Sequence, residues 1–276
     1  MSQVLLSGFA DEIGPDPAKQ IAVLQANNVH YLDLRGVGGK NVLDLNKAEI
    51  DTFRQQLRDA GIGIACIGSP IGKVQIRSDL EAHFSRFKIA VERAQQFNTQ
   101  NIRIFSFYHQ DEQAHACRQE VIAQLQRMVE YAANAGVTVL HENESGIYGD
   151  TPERCLDLLK SINQPHFRAI FDPANFLQSD CNPKDQCWPL LAKFVDYFHI
   201  KDVDTPSGQV VPAGYGDGQI EWTLAQALNN GFSGYLALEP HLNADHPVHG
   251  GNGAERFTKA VAGLRRVLDN LGITTG

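Results

Sequence analysis

The sequence contains no long apolar run and no excess of positive charge. None of its apolar runs approaches the roughly 20 residues that a membrane-spanning helix needs. The first residues, MSQVLLSGFADEIG, lack the basic region of a secretory signal peptide. Lys and Arg total 24 against 32 Asp and Glu, a net charge of −8, which disfavours a phosphate backbone as partner. We therefore predict neither a membrane nor a nucleic-acid partner.

Cysteine is sparse, and its arrangement excludes a disulfide framework. The chain has five cysteines, an odd number, and they form no CxxC pair. Scattered cysteines of this kind are typical of free thiols in a reducing compartment. We therefore predict a cytoplasmic protein. Cys181 and Cys187 share a loop, but that spacing is weak evidence for a zinc site.

Short apolar runs alternate with longer helical patterns along the whole chain. The strand candidates are 3–8, 30–34, 62–67, 101–105, 137–141, 167–171, 195–200 and 234–238. The helix candidates are 16–27, 46–60, 79–97, 111–135, 151–162, 184–192, 221–230 and 254–271. Eight β/α units in 276 residues come close to the roughly 250 residues of a (β/α)8 TIM barrel. We predict this α/β fold, as a single domain over 1–276.

Local signals support the helix boundaries. Asp16 and Thr151 each stand before a proline, as a capping residue does before the first helical position. Gly61, Gly136 and Gly231 each follow a helix candidate and precede a strand candidate. A doubly wound sheet is the alternative fold. The segment GFADEIGPDP after the first strand is not the glycine-rich phosphate loop which that fold requires.

Four potential metal ligands stand at the ends of the last four strand candidates. They are Glu142, Asp172, His199 and Glu239. In a barrel, residues at these ends face one shared mouth. Three carboxylates and one imidazole suit a divalent ion, which also relieves the repulsion between the carboxylates. Separate local roles, such as helix capping, are the alternative, but four equivalent positions on consecutive strands favour a metal site.

Nearly the whole chain resembles the xylose isomerase-like TIM barrels, and in particular bacterial sugar phosphate isomerase/epimerase proteins. The resemblance rests on the strings GFADEI, YLDLRGVGGKNV, IGSPIGK, IRIFSFY, HENESGIYGDTPERCLDLL, FDPANF, FHIKDV, VVPAGYGDGQI and LALEPHL. It implies one divalent ion, with Mn²⁺ favoured and Mg²⁺, Co²⁺ or Zn²⁺ as alternatives. HENE, FDPAN, FHIKD and LEPH supply the ligands Glu142, Asp172, His199 and Glu239.

The resemblance also implies chemical roles for the ligands. In related keto-sugar epimerases the two metal-bound glutamates move protons, which gives Glu142 and Glu239 a catalytic role here. The metal stabilises the enediolate that forms. Lys201 lies two residues beyond His199 on the same strand face, where it can contact a substrate oxygen or neutralise a carboxylate. Asn175 and Glu144 are expected to orient Asp172 and Glu142.

Five residues near other strand ends are candidate substrate contacts. They are Phe9, Arg35, Lys73, His109 and His241. For Arg35 the alternative is a salt bridge to Asp11, Glu12 or Asp33, and for each histidine it is a hydrogen-bonded surface position. Lys73 follows a short glycine-containing segment that permits close backbone approach to a ligand.

These residues predict a metal-dependent isomerase or epimerase of a keto-sugar, sugar phosphate or cyclitol ketone. A metal-dependent lyase that dehydrates inosose or dehydroshikimate, or cleaves a 3-keto-glycoside, uses the same enediolate chemistry and is the alternative. A nuclease like endonuclease IV requires extra histidines and a basic groove, and a non-catalytic sugar-binding protein would lack turnover. The predicted partner is a small carbohydrate, with a homodimer or homotetramer as the expected assembly.

Overall fold

Eight parallel strands form the centre of the molecule in the computed structural model, which describes residues 4–109 and 114–273. The strands are β1 Val4–Gly8, β2 Tyr31–Leu34, β3 Gly63–Ile67, β4 Asn101–Ile104, β5 Thr138–Glu142, β6 Phe167–Phe171, β7 Val195–Ile200 and β8 Gly234–Leu238. Their hydrogen-bonded order is β1-β8-β7-β6-β5-β4-β3-β2, and β1 also packs against β2. The ring is therefore nearly closed, which confirms the predicted TIM barrel.

Helices surround this ring. They are α1 Pro17–Ala26, α2 Lys47–Ala60, α3 Leu80–Gln96, α4 Ala114–Asn134, α5 Pro152–Ile162, α6 Pro173–Leu177, α7 Trp188–Leu191, α8 Ile220–Asn229 and α9 Gly253–Asn270. No helix among the described residues is long and apolar enough to cross a bilayer. Residue 3 of the first predicted strand and residues 111–113 of the fourth predicted helix lie outside the described residues.

The predicted helix boundaries are mostly confirmed, with one exception. The Asp16 side chain accepts a hydrogen bond at the start of α1, as Thr151 does at the start of α5. The prediction of one helix over 184–192 is wrong. A π-helical turn, Pro183–Cys187, is followed by α7 and then by a 3₁₀ turn. Pro189 has no N–H to donate, so a regular α-helical hydrogen-bond ladder cannot pass through this segment.

The barrel interior changes character from one end to the other. Its lower part holds a small apolar cluster composed of Ala65, Cys66, Leu140, Ile170, Tyr197 and Ala237. The larger core lies between the strands and the surrounding helices. Above the small cluster, toward the carboxyl ends of the strands, the buried side chains become charged. The charged side chains therefore gather toward the carboxyl ends of the strands, the end at which TIM barrels hold their sites.

The segment after β7 folds back on itself. It contains a two-stranded antiparallel hairpin within residues 202–211. Asp202, its first residue, accepts hydrogen bonds from the backbone N–H groups of Gly214, Gly216 and Gly218 at 2.9, 3.1 and 2.8 Å. A Cβ on Gly216 would lie 2.6 Å from the Asp202 carboxylate, and one on Gly218 2.7 Å from it. The base of this loop is therefore fixed, and only glycine fits two of its positions.

Candidate metal centre

The four predicted ligands lie together at the carboxyl ends of four neighbouring strands. Glu142 ends β5, Asp172 follows β6, His199 lies in β7 and Glu239 follows β8. All four are buried, and one ligand atom from each lies within 4.8 Å of the other three. We refer to these four residues as the cage. Parallel pairing of the four neighbouring strands places their carboxyl ends on the same side of the barrel, so four separate segments meet at one point.

Direct contacts connect the members of the cage. The Nδ1 atom of His199 lies 2.8 Å from Oε1 of Glu142. The Nζ atom of Lys201 lies 3.1 Å from Oδ2 of Asp172 and 3.2 Å from Oε2 of Glu239. Lys201 is itself buried. The predicted position of Lys201 beside His199 is thus seen, with its ammonium group between two of the carboxylates.

Burial and mutual repulsion shape the ionisation of the cage. Burial raises the pKa of Asp172 to about 6, with the charges of Glu142 and Glu239 adding to the rise and Lys201 opposing it. Burial acts in the same direction on Glu142, but His199 and Arg103 outweigh it and bring its pKa below the usual range. The pKa of His199 is lowered by burial but raised more by Glu142.

The residues of the cage fit a divalent cation. They offer three carboxylates and an imidazole, a donor set suited to Mn²⁺, Mg²⁺, Co²⁺ or Zn²⁺. Oδ2 of Asp172 is buried and accepts no well-aligned hydrogen bond from the described residues, although Lys201 lies near it. Its other oxygen, Oδ1, accepts the Asn175 N–H at 2.9 Å and caps α6. Asp172 therefore caps a helix and still presents one free oxygen to the cage.

Arg103 on β4 is a functional candidate that the sequence analysis missed. Its side chain is buried, and its Nη1 atom lies 3.2 Å from Oε2 of Glu142 and 3.8 Å from Oε1 of Glu239. The guanidinium also lies over the rings of Phe9 and Phe105, at 5.0 and 4.9 Å from their centres. The available signal was a single arginine inside the apolar run IRIF. Arg103 supplies a fixed positive charge to both glutamates of the cage.

Two asparagines orient the ligands from behind. The side chain of Asn143 donates to the Asp172 carbonyl at 2.9 Å and accepts the Asp172 N–H at 3.0 Å. The sequence predicts that Asn175 orients Asp172, and its backbone N–H contacts Asp172, while its side-chain amide donates to Oε1 of Glu142 at 3.4 Å. The expectation that Glu144 orients Glu142 is wrong, because Glu144 is on the rim and pairs with Lys73 at 2.9 Å.

Arg35 lies in a cluster of acids at the rim of the barrel. Its guanidinium contacts Asp11 at 2.7 Å, Glu12 at 3.3 Å and Glu239 at 3.0 Å. The two rim acids are among the salt-bridge partners that the sequence left open. Nε2 of His241 lies 3.2 Å from Glu12 and 3.3 Å from Glu239. Burial lowers the pKa of His241, but these hydrogen bonds raise it to about 10. Both candidates are therefore positively charged and adjoin the cage.

The remaining substrate candidates differ in exposure. Lys73 is partly exposed and lies 4.3 Å from the centre of the Phe105 ring. Phe9 is fully buried and packs edge-on against His199 with ring centres 5.1 Å apart. Neither ring nitrogen of His109 hydrogen-bonds to a described residue, and His109 directly precedes the undescribed residues 110–113. Contact of any of these three side chains with a substrate stays a prediction.

A nearly closed parallel barrel with this cage at its carboxyl end defines a metal-site TIM-barrel protein. The chain belongs to the xylose isomerase-like TIM barrel family, whose model matches residues 23–268. Comparison with curated proteins finds no sequence match.

Several solved structures share the fold at low sequence identity. The probable 3-DHS dehydratase AsbF of Bacillus anthracis is 18% identical, with a TM-score of 0.76 over 96% of this chain and 99% of that one. The IOLI protein, solved with a zinc atom, is 13% identical, with a TM-score of 0.77 over 98% and 99%. The 3-keto-D-glucoside 4-epimerase YcjR of E. coli is 12% identical, with a TM-score of 0.71 over 98% and 100%.

Proposed function

We propose that this protein is a divalent-metal-dependent isomerase or epimerase of a keto-sugar or cyclitol ketone. The observation that carries the proposal is the placement of two buried glutamates in one cage. Glu142 and Glu239 come from β5 and β8, with β6 and β7 between them, so they enter the cage from different sides. Proton transfer to and from carbon on two sides of a substrate requires this arrangement.

The cage residues Glu142, Asp172, His199 and Glu239 would hold the ion. When bound, a divalent ion acts as a Lewis acid and stabilises the negative charge that develops on the substrate oxygens. Mn²⁺ is the favoured ion, with Mg²⁺, Co²⁺ and Zn²⁺ as alternatives, because carboxylate oxygens dominate the donor set. The alternatives differ in size and ligand preference, so a metal-reconstitution series separates them.

The two glutamates exchange protons with the substrate. One carboxylate removes the proton from the carbon beside the carbonyl, and the C–H electron pair becomes part of the enediolate. The other glutamate takes up a proton and delivers it to the opposite face of the same carbon in an epimerase. In an isomerase a proton is delivered to the neighbouring carbon, and the hydroxyl proton moves to the former carbonyl oxygen. Lys201 donates a hydrogen bond to an oxygen where charge develops.

The charges around the cage favour a substrate without phosphate. Arg35, Lys73, Arg103, Lys201 and His241 each contact at least one carboxylate. A phosphate clamp needs several convergent cations or backbone amides that are not already neutralised. An uncharged polyhydroxy ketone requires only hydrogen bonds at this rim. A sugar phosphate is therefore the less favoured substrate class.

A screen in D₂O tests the proposal. The metal-free protein is reconstituted separately with Mn²⁺, Mg²⁺, Co²⁺ and Zn²⁺ and is offered ketoses, their phosphates and inososes. We expect deuterium to enter a carbon beside the carbonyl without loss of water, as detected by mass spectrometry and NMR. Release of water with a new ultraviolet-absorbing enone would instead identify a dehydratase. Absence of both with every metal would contradict an enzymatic function. The cytoplasmic location and the homo-oligomer stay predictions.

A further inference from the structure

A second carboxylate system lies directly beneath the cage. Asp33 on β2 is fully buried, and its Oδ1 atom accepts hydrogen bonds from two hydroxyl groups. The Tyr197 hydroxyl on β7 donates at 2.6 Å, and the Ser7 hydroxyl on β1 donates from the other side. Three strands thus contribute to one hydrogen-bonded group. Both donors act on the same oxygen and leave the second oxygen of Asp33 unused.

That second oxygen faces the imidazole of the cage. Oδ2 of Asp33 lies 3.9 Å from Nε2 of His199, and neither atom has a hydrogen-bond partner among the described residues. Both side chains are fully buried. A movement of about 1 Å brings the two atoms to the usual N–H···O distance. Buried polar atoms without partners are uncommon in folded proteins, so two of them facing each other indicate a hydrogen bond that forms in the functional state.

The two ring nitrogens of His199 therefore have different surroundings. Nδ1 faces the cage, where it contacts Glu142, and Nε2 faces Asp33. Phe9 packs edge-on against the imidazole and restricts its rotation. A metal-bound histidine almost always donates its other N–H to a carboxylate, carbonyl or water, which fixes its tautomer and increases its basicity. The surroundings of His199 match this arrangement.

We propose that Asp33 is a positioning residue that accepts a hydrogen bond from Nε2–H of His199 and so keeps Nδ1 available to the ion. Tyr197 and Ser7 hold the carboxylate of Asp33 in the required orientation. This inference rests on the proposed metal-dependent function. Asp33 does not touch the substrate or the ion, and it acts only through His199.

Metal affinity tests the proposal without measuring turnover. We expect Asp33→Ala to weaken Mn²⁺ binding by about 10- to 100-fold in a chelator competition, the usual cost of losing such a partner. Asp33→Asn keeps an acceptor oxygen and should retain more of the affinity. Tyr197→Phe and Tyr235→Phe form a matched pair, because each removes a hydroxyl inside the barrel but only the Tyr197 hydroxyl bonds to Asp33. Of these two tyrosine variants, only Tyr197→Phe should weaken Mn²⁺ binding.

The tautomer of His199 supplies a second measurement that needs no variant at this site. Long-range ¹H–¹⁵N NMR of the Mg²⁺-loaded wild-type protein should show a proton on Nε2 of His199 and none on Nδ1. A proton on Nδ1, or equal affinities for the wild type and Asp33→Ala, would overturn the positioning role. A wild-type protein that binds no divalent ion would instead refute the proposed function itself, so the two failures are distinguishable.

Discussion

The two halves of the barrel contribute different residues to the same site. Strands β5 to β8 supply the three carboxylates and the imidazole of the cage. Strands β2 and β4, with the segments that follow β1 and β3, supply Arg35, Arg103 and Lys73 together with the aromatic ring of Phe9. We call these the ligand half and the cation half. Arg103 contacts Glu142 and Arg35 contacts Glu239, so each arginine pairs with a glutamate of the ligand half.

This division shows how a buried acidic site remains stable before an ion arrives. Three carboxylates close together in a dry environment repel one another and are poorly solvated. Two buried cations offset that cost, because Arg103 pairs with Glu142 and Lys201 pairs with Asp172. The cage is thus assembled with its charges partly balanced. An incoming ion then neutralises only the remaining negative charge, and the ligands are already in place, which is a form of pre-organisation.

The largest effect is expected in the ligand half. Glu142→Gln removes a carboxylate that we assign to proton transfer, so turnover should fall by about 10²- to 10⁴-fold. The substitution keeps the size of the side chain. Glu144→Gln is the matched control, because Glu144 lies two residues away and pairs with Lys73 at the rim. Rates with saturating Mn²⁺ measure both variants. Equal losses in the two would contradict the assignment.

A test of the cation half comes next. Arg103→Met removes the buried arginine that pairs with Glu142 and leaves Oε2 of Glu142 without that charge, and breaking such a pair costs about 3–5 kcal/mol of the free energy of unfolding. Urea unfolding of the metal-free protein measures the loss. Bound Mn²⁺ should reduce the difference from wild type, because the ion then neutralises the same carboxylate. A loss in the free energy of unfolding that is unaffected by Mn²⁺ would show that Arg103 stabilises the protein independently of the metal site.

An intermediate effect concerns a loop of the cation half. Nε2 of His83 accepts the Gly72 N–H at 2.9 Å, which requires a neutral ring. Burial lowers the pKa of His83 below the usual 6.5 of a histidine, with the nearby Arg86 adding to this. The unfolded chain therefore binds the proton more readily, and this part of the stability is lost as pH falls below 6.5 and through the folded-state pKa.

The variant His83→Gln keeps an acceptor for Gly72 but does not titrate. Its stability should fall less steeply with acid than that of the wild type, by at most about 1.4 kcal/mol per pH unit, the value for one proton. Urea unfolding at several pH values between 7 and the acid limit of folding compares the slopes. Parallel slopes for the two proteins would show that His83 does not titrate on unfolding.

The smallest effect is expected at the edge of the cation half. Lys73 is partly exposed, and ion pairs of this kind contribute about 0–1 kcal/mol. Lys73→Met should therefore change the melting temperature little and leave kcat unchanged with an uncharged ketone. A KM that rises only for phosphorylated substrates would show that Lys73 binds an anion. That result would reverse our preference for an uncharged substrate.

The ligand half could be predicted from the sequence, and most of the cation half could not. Each ligand stands at the end of an apolar run, and a parallel barrel brings such ends together. Arg103 and Asp33 instead stand alone within apolar strands. Their partners are fixed by the assembly of the barrel. The pairing of β4 with β5 places Arg103 beside Glu142, and the curvature of the barrel places Asp33 beside Tyr197, 39 and 164 positions apart. No short spacing between residues in the sequence predicts such distant pairs.

The helix predicted over 184–192 failed for a local reason, and the four ligand positions did not depend on it. Pro183 stands directly before that segment and Pro189 lies within it, whereas the strands before and after it contain no proline. The alternation of strands and helices therefore survives an error in one helix. The positions of the strands along the sequence determine where the four ligands lie, and the details of the outer helices do not affect this.

The loop that Asp202 holds through three glycine N–H groups has a further consequence for engineering. Its base directly follows Lys201, whereas residues 205–208 at its tip are exposed. Exposed tips with small and polar residues tolerate insertion, whereas a hydrogen-bonded base does not. The tip is thus a suitable point for a fluorescent reporter or a grafted peptide, because it lies within a few residues of Lys201 while the base of the loop stays fixed.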